Sequence, residues 1–536
     1  MTYFLTLDVD LSRSGWAEDQ VVKLPENKGL LALAPANDLT ALIGRTLEKQ
    51  GRPFQIFDRD PSKPFIYPLG NYSDLLKDRE EVVGLWVGSP NYEKAIADHL
   101  INLGFPAQKL AHLDPPPERA RVFSLDEALT WARALPRDER VEQRVERLAQ
   151  LVGEKPYLVV KGPYWYDLVE KARLLRDALG FEVIWVSGVT EPVREEQTRF
   201  IQAGWRDVLV LAQTREQGRQ ACFLLVHGLT FTDAVFLRAF CPPAKIVSYV
   251  YDWLPHSVPY QERHRLSLPG NQAAAVIDSE YAAAQAILNA GVVDGLLFKD
   301  GGADFSLYQN IEVANLFFPT CLPEARYQPP PEAPEPGTPG RMLFVGTLFG
   351  SESDPEVSGH SIFFDTFAAI AGQGIPLHVY YLPVRNAPSV VNEYRQHLAH
   401  QPLVEMIPGQ PLDALLPQLA GRFHWGAMIA AADFGFARTH AAHTLPSRIF
   451  TYAALGIPIV VSNEFEDLCD LVRRYGIGVV IRRDQIHQLG QILRQQDYSS
   501  LQQAVLAFRS EFSLERRAPA LVDFFARTTN KAEVLS

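Results

Sequence analysis

Apolar residues come in short blocks that repeat along the chain. GLLALAPAN (29–37), PFQIFD (53–58), EVVGLWVGSPN (81–91) and YLVVKGP (157–163) are compact apolar runs closed by Gly, Pro, Asn or Asp. Such runs predict buried strands. Between them lie stretches with helical spacing. In DLTALIGRTLEKQG (38–51), Asp38 stands as N-cap and Gly51 just past the end. NYEKAIADHLINLG (91–104) predicts a second helix and QKLAHLD a further strand. Strand, helix, strand with short turns is the grammar of a parallel sheet. The charged stretch at 135–156 predicts a connecting helix with Val141, Val145, Leu148 and Leu151 on one face.

The alternation continues beyond it. YLVVKG, FEVIWVSG, DVLVLAQ (207–213), KIVSYVYDW, AAAVIDS and GLLFKDGGAD are predicted strands with helices between them, among them YDLVEKARLLRDALG and EYAAAQAILNAG. A last series runs RMLFVGT, PLHVYYL, VEMIPG, GAMIAAA and IPIVVS, separated by helical patterns and ending in a helical region. The sharpest break is QPPPEAPEPGTPG (328–340), whose six prolines suit neither a helix nor a sheet interior. The predicted organisation is an α/β domain at 1–150, a second at 157–326, a proline-rich linker at 327–340, a third α/β domain at 341–515, and a C-terminal helix and tail at 516–536. Parallel sheets bind ligands beyond the carboxyl ends of their strands, so two facing sheets predict a cleft.

Composition narrows the class. The chain has 536 residues, 47% hydrophobic and 21% charged, which is globular usage. The net charge of −12 argues against a general nucleic-acid binder. No apolar run reaches the ~20 residues that span a bilayer. The N-terminal MTYFLTLDVDLSRSG is acidic where a secretory signal is basic. Cys222, Cys241, Cys321 and Cys469 show no CxxC pairing and read as thiols in a reducing compartment. The expectation is a cytoplasmic protein.

Candidate chemistry concentrates in RTHAAHTLPSRIFTYAALGIPIVVSN (438–463). The pattern is loop, helix, strand. Pro446 suits a first helical turn, and Thr444 or Ser447 can cap it. A helix start attracts phosphate, and Arg438 and Arg448 flank this one with groups suited to bidentate phosphate contacts. His440 and His443 stand at i and i+3, but without further ligands nearby except Asp433 no metal site is expected. Asp300-Gly301-Gly302 lacks a phosphate-loop pattern and reads as a turn.

LPSRIFTYAALGIPIVVS resembles the donor-site signature of glycosyltransferases built from two facing Rossmann-like domains (the GT-B fold), specifically the large retaining family that uses nucleotide-sugar donors. Other segments resemble that family in order. RMLFVGTLFG is similar to the first strand and glycine turn of its C-terminal domain. IPGQPLDALLPQLAGRFHWGAMIA is similar to the stretch leading to the donor loop. KIVSYVYDWLP is similar to the strand bearing a His-Asp pair, and the segment from AAAVIDS to DFSLY to the end of its N-terminal domain. The likeness spans about residues 157–520.

The resemblance implies a metal-independent hexosyltransferase of glycan or glycoconjugate synthesis, with no cofactor. Its implied partners are a nucleotide-sugar donor and a saccharide, lipid-linked or protein acceptor, with peripheral membrane contact or oligomerisation open. The implied donor site comprises Gly346, Thr347, Arg438, His440, His443, Pro446, Ser447, Arg448 and Thr451. Asp252 and His256 are the catalytic candidates, and Tyr164 and Tyr166 the acceptor-side aromatics. Departures accompany the likeness. Thr451 replaces the Glu that holds ribose, Tyr251 replaces the catalytic His, and no Lys follows the Gly346 turn. A non-catalytic nucleotide- or sugar-binding scaffold on the same fold is the alternative. The resemblance also implies that the final helix crosses back onto the N-terminal domain of the pair. The first 150 residues resemble, over LWVGSPNYEKAIADHLINLGFPAQKLAHLD, the small Rossmann-like N-terminal domain of some sugar acyltransferases; a packing or dimerisation role is the plainer reading.

Overall fold

The computed structural model describes residues 4–6, 30–34, 43–44, 46–48, 52–58, 69–77, 81–87, 93–103, 105–111, 122–124, 129, 139–162, 166–186, 200–214, 221–226, 231–250, 291–299, 313–351, 362–383, 386, 388–430 and 438–529. A short antiparallel pair joins β1 (Phe4–Thr6) to β7 (Val122–Ser124). Between them in sequence lies a parallel sheet of β2 (Leu30–Ala34), β3 (Phe54–Asp58), β4 (Leu69–Asn71), β5 (Val82–Val87) and β6 (Leu110–Ala111), in the order β4-β3-β2-β5-β6. Within the expected QKLAHLD strand, β6 covers Leu110–Ala111, preceded by a 3₁₀ turn at Ala107–Lys109, and residues 112–114 lie outside the described residues.

The middle sheet contains β8 (Tyr157–Lys161), β9 (Glu182–Val186), β10 (Ile201–Gln202), β11 (Ala221–Val226), β12 (Lys245–Val250), β13 (Gly295–Phe298) and β14 (Asn315–Phe317). All neighbours are parallel, in the order β10-β9-β8-β11-β12-β13-β14. The segment DVLVLAQ is a correction. It lies within the helix Trp205–Thr214, and the strand is the following ACFLLV. A short apolar run does not reveal its period, so it fits either element. Here Asp207 opens the helix and pairs with Arg144 at 3.0 Å. The helix Glu139–Val152 carrying Arg144 belongs to the middle core through Val145, Leu148 and Val152. Leu151, expected on that face, is 54% exposed.

The last sheet contains β15 (Met342–Gly346), β16 (Leu377–Tyr381), β17 (Val404–Pro408), β18 (Trp425–Met428), β19 (Ile459–Ser462) and β20 (Gly478–Ile481). Its parallel order, β17-β16-β15-β18-β19-β20, is the doubly wound order, reversing between β15 and β18. The middle sheet reverses likewise between β8 and β11. The architecture is thus α/β with Rossmann-like parallel sheets in succession. β20 falls in what the sequence presents as a purely helical end.

Two segments tie the middle unit to the last. The proline-rich stretch is extended but lies on the last unit: Arg509 Nη1 donates to the Gln328 carbonyl at 2.9 Å, and Trp425 Nε1 to the Pro339 carbonyl at 2.8 Å. The C-terminal helix Leu514–Thr528 returns to the middle unit, where Leu521, Phe524 and Phe525 share a core with Leu158, Val160 and Leu168. The two crossings touch: the Leu514 N–H donates to the Leu322 carbonyl at 3.0 Å. No helix among the described residues is long and apolar enough to cross a membrane.

Candidate functional site

The crevice of the last unit lies where β15 and β18 part. Their ladder has two registered pairs, Met342 with Trp425 and Leu343 with Gly426, whereas β15 follows β16 out to Gly346. Such a switch point at the carboxyl ends of parallel strands is the ligand crevice of open α/β sheets. Gly346 and Thr347 stand on its rim at the end of β15.

The turn beyond Thr347 is fixed by a buried amide. Asn386 Nδ2 donates to the Leu348 carbonyl at 2.7 Å, and Asn386 Oδ1 accepts the Leu348 N–H at 3.3 Å. The Tyr394 hydroxyl donates to the Phe349 carbonyl at 3.1 Å. On the other side, Ser462 Oγ at the end of β19 accepts the Ala430 N–H at 2.7 Å. Both rims are therefore held by side-chain bonds that the sheet ladders do not supply. Sequence spacing could not pair Asn386 with a turn 38 residues away.

Arg448 opens the helix Arg448–Ala454, all of whose other residues are buried. Its guanidinium lies 4.8 Å from the centre of the Phe344 ring. It also covers Gly346 so closely that a β-carbon there would stand 3.0 Å from Cζ and Nη2. Glycine is what permits this approach. Among the described residues no carboxylate or hydrogen-bond acceptor meets the guanidinium. Burial lowers its pKa from the ordinary arginine value, partly offset by the Tyr452 phenol. A half-buried cation with no counter-charge among the described residues is suited to receive an anion.

The remaining donor-side candidates divide. Pro446 and Ser447 precede the helix in a tight turn, with the Ile449 N–H donating to the Pro446 carbonyl and the Phe450 N–H to Ser447, both at 3.1 Å. Ser447 is the N-cap, but its side chain makes no cap bond, contrary to expectation; the i→i+3 bonds of the turn already engage the Ile449 and Phe450 donors. The helix has seven residues, so charge here comes from Arg448 more than from a helix dipole. Thr451 is 5% exposed, within the buried face of that helix. His443 pairs with Asp467 at 3.2 Å, across the contact between the helices Arg438–His443 and Glu466–Tyr475. The backbone of Arg438 and His440 lies in the first of these helices, and their side chains lie outside the described residues.

Asp252, His256 and Tyr164 fall outside the described residues; Tyr166 begins the helix Tyr166–Leu179, its side chain undescribed. What the structure does describe at the middle switch point is a buried ion pair. Lys161, the last residue of β8, donates to Asp233 at 2.6 Å, and its Nζ lies 4.8 Å from the centre of the Trp205 ring. The sequence signal was available: a single lysine ends an otherwise apolar strand.

No family model matches the chain, and no curated protein matches it. Among solved structures it is similar to an alpha,alpha-trehalose-phosphate synthase (UDP-forming) from Burkholderia xenovorans, at 11% identity over 70% of this chain and 100% of the other, with a TM-score of 0.43. A UDP-glucosyltransferase from Polygonum tinctorium aligns at 8% identity over 70% and 99%, with a TM-score of 0.39. A glycosyltransferase involved in avilamycin A biosynthesis aligns at 15% identity over 70% and 99%, with a TM-score of 0.37.

Proposed function

We propose that the chain is a glycosyltransferase that takes a sugar from a nucleotide-sugar donor. The observation that carries this reading is the Arg448 guanidinium over Gly346 at the switch point of the last sheet, unpaired among the described residues. Transfer from a nucleotide sugar requires the leaving diphosphate to be neutralised as the glycosidic bond breaks. Arg448 supplies that charge, with Gly346, Thr347, Pro446 and Ser447 around it. Arg438 and His440, on the preceding helix, with Thr451 and His443, would complete the donor side. In this reading the transfer is metal-independent and serves cytoplasmic glycan or glycoconjugate synthesis.

The acceptor would lie against the middle unit. Asp252 follows two residues after β12 ends at Val250. A carboxylate or imidazole there, Asp252 or His256, would orient or deprotonate the acceptor hydroxyl, with Tyr164 and Tyr166 beside the sugar.

Titration calorimetry with UDP, GDP, inorganic pyrophosphate and uridine tests the reading. Binding of a nucleoside diphosphate that weakens 10–100-fold in Arg448→Ala, the loss of one or two charge-assisted bonds, is the expected result. No binding of either diphosphate would overturn it. Binding without release of nucleotide from any nucleotide sugar, across saccharide and lipid-linked acceptors, would instead favour the scaffold alternative.

A further inference from the structure

We propose that Tyr452 is a positioning residue whose hydroxyl, inserted in place of a backbone hydrogen bond, holds the crevice between β15 and β18 open. Only the identity of the ligand that uses the opening rests on the donor-site reading above.

The argument starts from register. The Trp425 N–H donates to the Arg341 carbonyl at 3.1 Å, and Met342 and Leu343 pair with Trp425 and Gly426. In a parallel ladder donations alternate between the strands at every second residue. Continued on the same pattern, the ladder would next join the Val345 N–H to the Ala427 carbonyl. That bond is replaced. The Val345 N–H donates instead to the Tyr452 hydroxyl at 3.2 Å, and that hydroxyl donates to the Ala427 carbonyl at 3.2 Å. Both backbone groups are satisfied, but through an intervening oxygen, so the strands stand farther apart than a direct bond of ~2.9 Å would allow.

The ring reaches this position because β18 lacks a side chain beneath it. A β-carbon on Gly426 would lie 2.3 Å from Tyr452 Cδ2, well inside contact distance. Tyr452 is fully buried, and its ring fills the gap that the parted strands leave. The helix adds the second half of the device. Tyr452 follows Arg448 by four residues, one helical turn, so both project from the same face. The hydroxyl reaches Val345 while the guanidinium covers Gly346, the next residue of the strand. One short helix thus both parts the strands and places a cation at the mouth of the gap. Without the hydroxyl, Val345 and Ala427 are free to make their ladder bond, drawing β18 toward β15 beneath Gly346.

The test compares full-length wild type, Tyr452→Phe and Arg448→Ala by crystal structure, by amide hydrogen exchange at Val345, and by UDP titration. In Y452F the expected result is a direct Val345 N–H to Ala427 bond, continued slow exchange at Val345, and UDP affinity reduced at least tenfold. In R448A the strands stay parted while UDP affinity falls. Strands that remain apart in Y452F, with a water in place of the hydroxyl, overturn the proposal, as does unchanged UDP affinity in a Y452F chain that has closed. If wild type binds neither UDP nor GDP, the donor reading fails and the crystal and exchange comparison still decides the role of Tyr452. If Y452F does not fold, the wild-type crystal structure decides: a direct Val345–Ala427 bond there overturns the proposal.

Discussion

Arg448, half-buried at the crevice, has no counter-charge among the described residues, whereas three other enclosed cations each have one. Lys161 has Asp233, Lys171 has Asp167 at 2.9 Å, and Arg326 has Glu170 at 3.0 Å. A partly desolvated charge with no partner burdens the fold. Replacing it with a shape-matched apolar residue should therefore stabilise. Arg448→Met is expected to raise stability by roughly 0.5–2 kcal/mol, a few degrees in Tm, while weakening diphosphate binding about 10–100-fold, as in Arg448→Ala; calorimetry reads the first and titration the second. A fall in Tm would mark Arg448 as a packing residue. Gly346→Ala approaches the same site from the other side. Its methyl would press on the guanidinium, so diphosphate affinity should fall about tenfold or more with little change in Tm. At this scale the sequence was uneven. Arg448 and Gly346 were legible because each stands beside a strand or helix boundary that βα grammar marks. Tyr452 was not: a tyrosine one turn into an apolar helix looks like any core aromatic until the strand register is known.

Turns and strand entries around the site rest on single side chains. Asn386 serves both the N–H and the carbonyl of Leu348. Asn386→Ala leaves two buried backbone groups unmet and should cost about 1–3 kcal/mol for each; chemical denaturation reads the loss. The entry to β15 depends on a histidine. His424 Nδ1 accepts the Arg341 N–H at 2.9 Å, which requires that nitrogen to be unprotonated. Burial and the nearby Arg341 charge lower the His424 pKa below its ordinary 6.5. The unfolded chain therefore binds the proton first. This contribution to stability is complete above about pH 6.5 and is lost as pH falls through the lower folded value. Thermal melts from pH 7.5 downward should show the loss, and His424→Asn, whose amide oxygen can accept the same bond, should flatten it. An unchanged pH slope in that variant would remove His424 from the account. Element assignment succeeded where caps and breakers framed a run, as at RMLFVGT and IPIVVS. It failed at DVLVLAQ, where β-rich composition favoured a strand and tertiary packing against Glu139–Val152 made a helix.

Across the whole molecule, chain order and structural membership part company at the C-terminus. The described residues between 342 and 512 build the last unit, yet the helix that follows at once gives its apolar face to the middle one. Phe524 lies against Gly295 of β13 so closely that a β-carbon there would stand 2.6 Å from its ring. Phe525 is fully buried in the core shared with β8 and the helix Tyr166–Leu179. The sequence showed that this helix has an apolar face, and only the family resemblance implied where the face goes, because periodicity carries no address. Phe525→Ala should cost about 3–5 kcal/mol, as for a large aromatic removed from a packed core. The loss should fall on the wrong unit by sequence. Amide exchange should accelerate across β8, β11, β12 and β13, more than 200 residues earlier in the chain, while β15, β16 and β19, nearer in sequence, keep their protection. Equal acceleration in both sheets would mean that the two units unfold as one, and the helix would then be a shared brace and not a member of the middle core. Selective loss would make the middle unit incomplete without the C-terminal helix, so that any motion between the two units must bend at the paired crossings near Leu322 and Ser513.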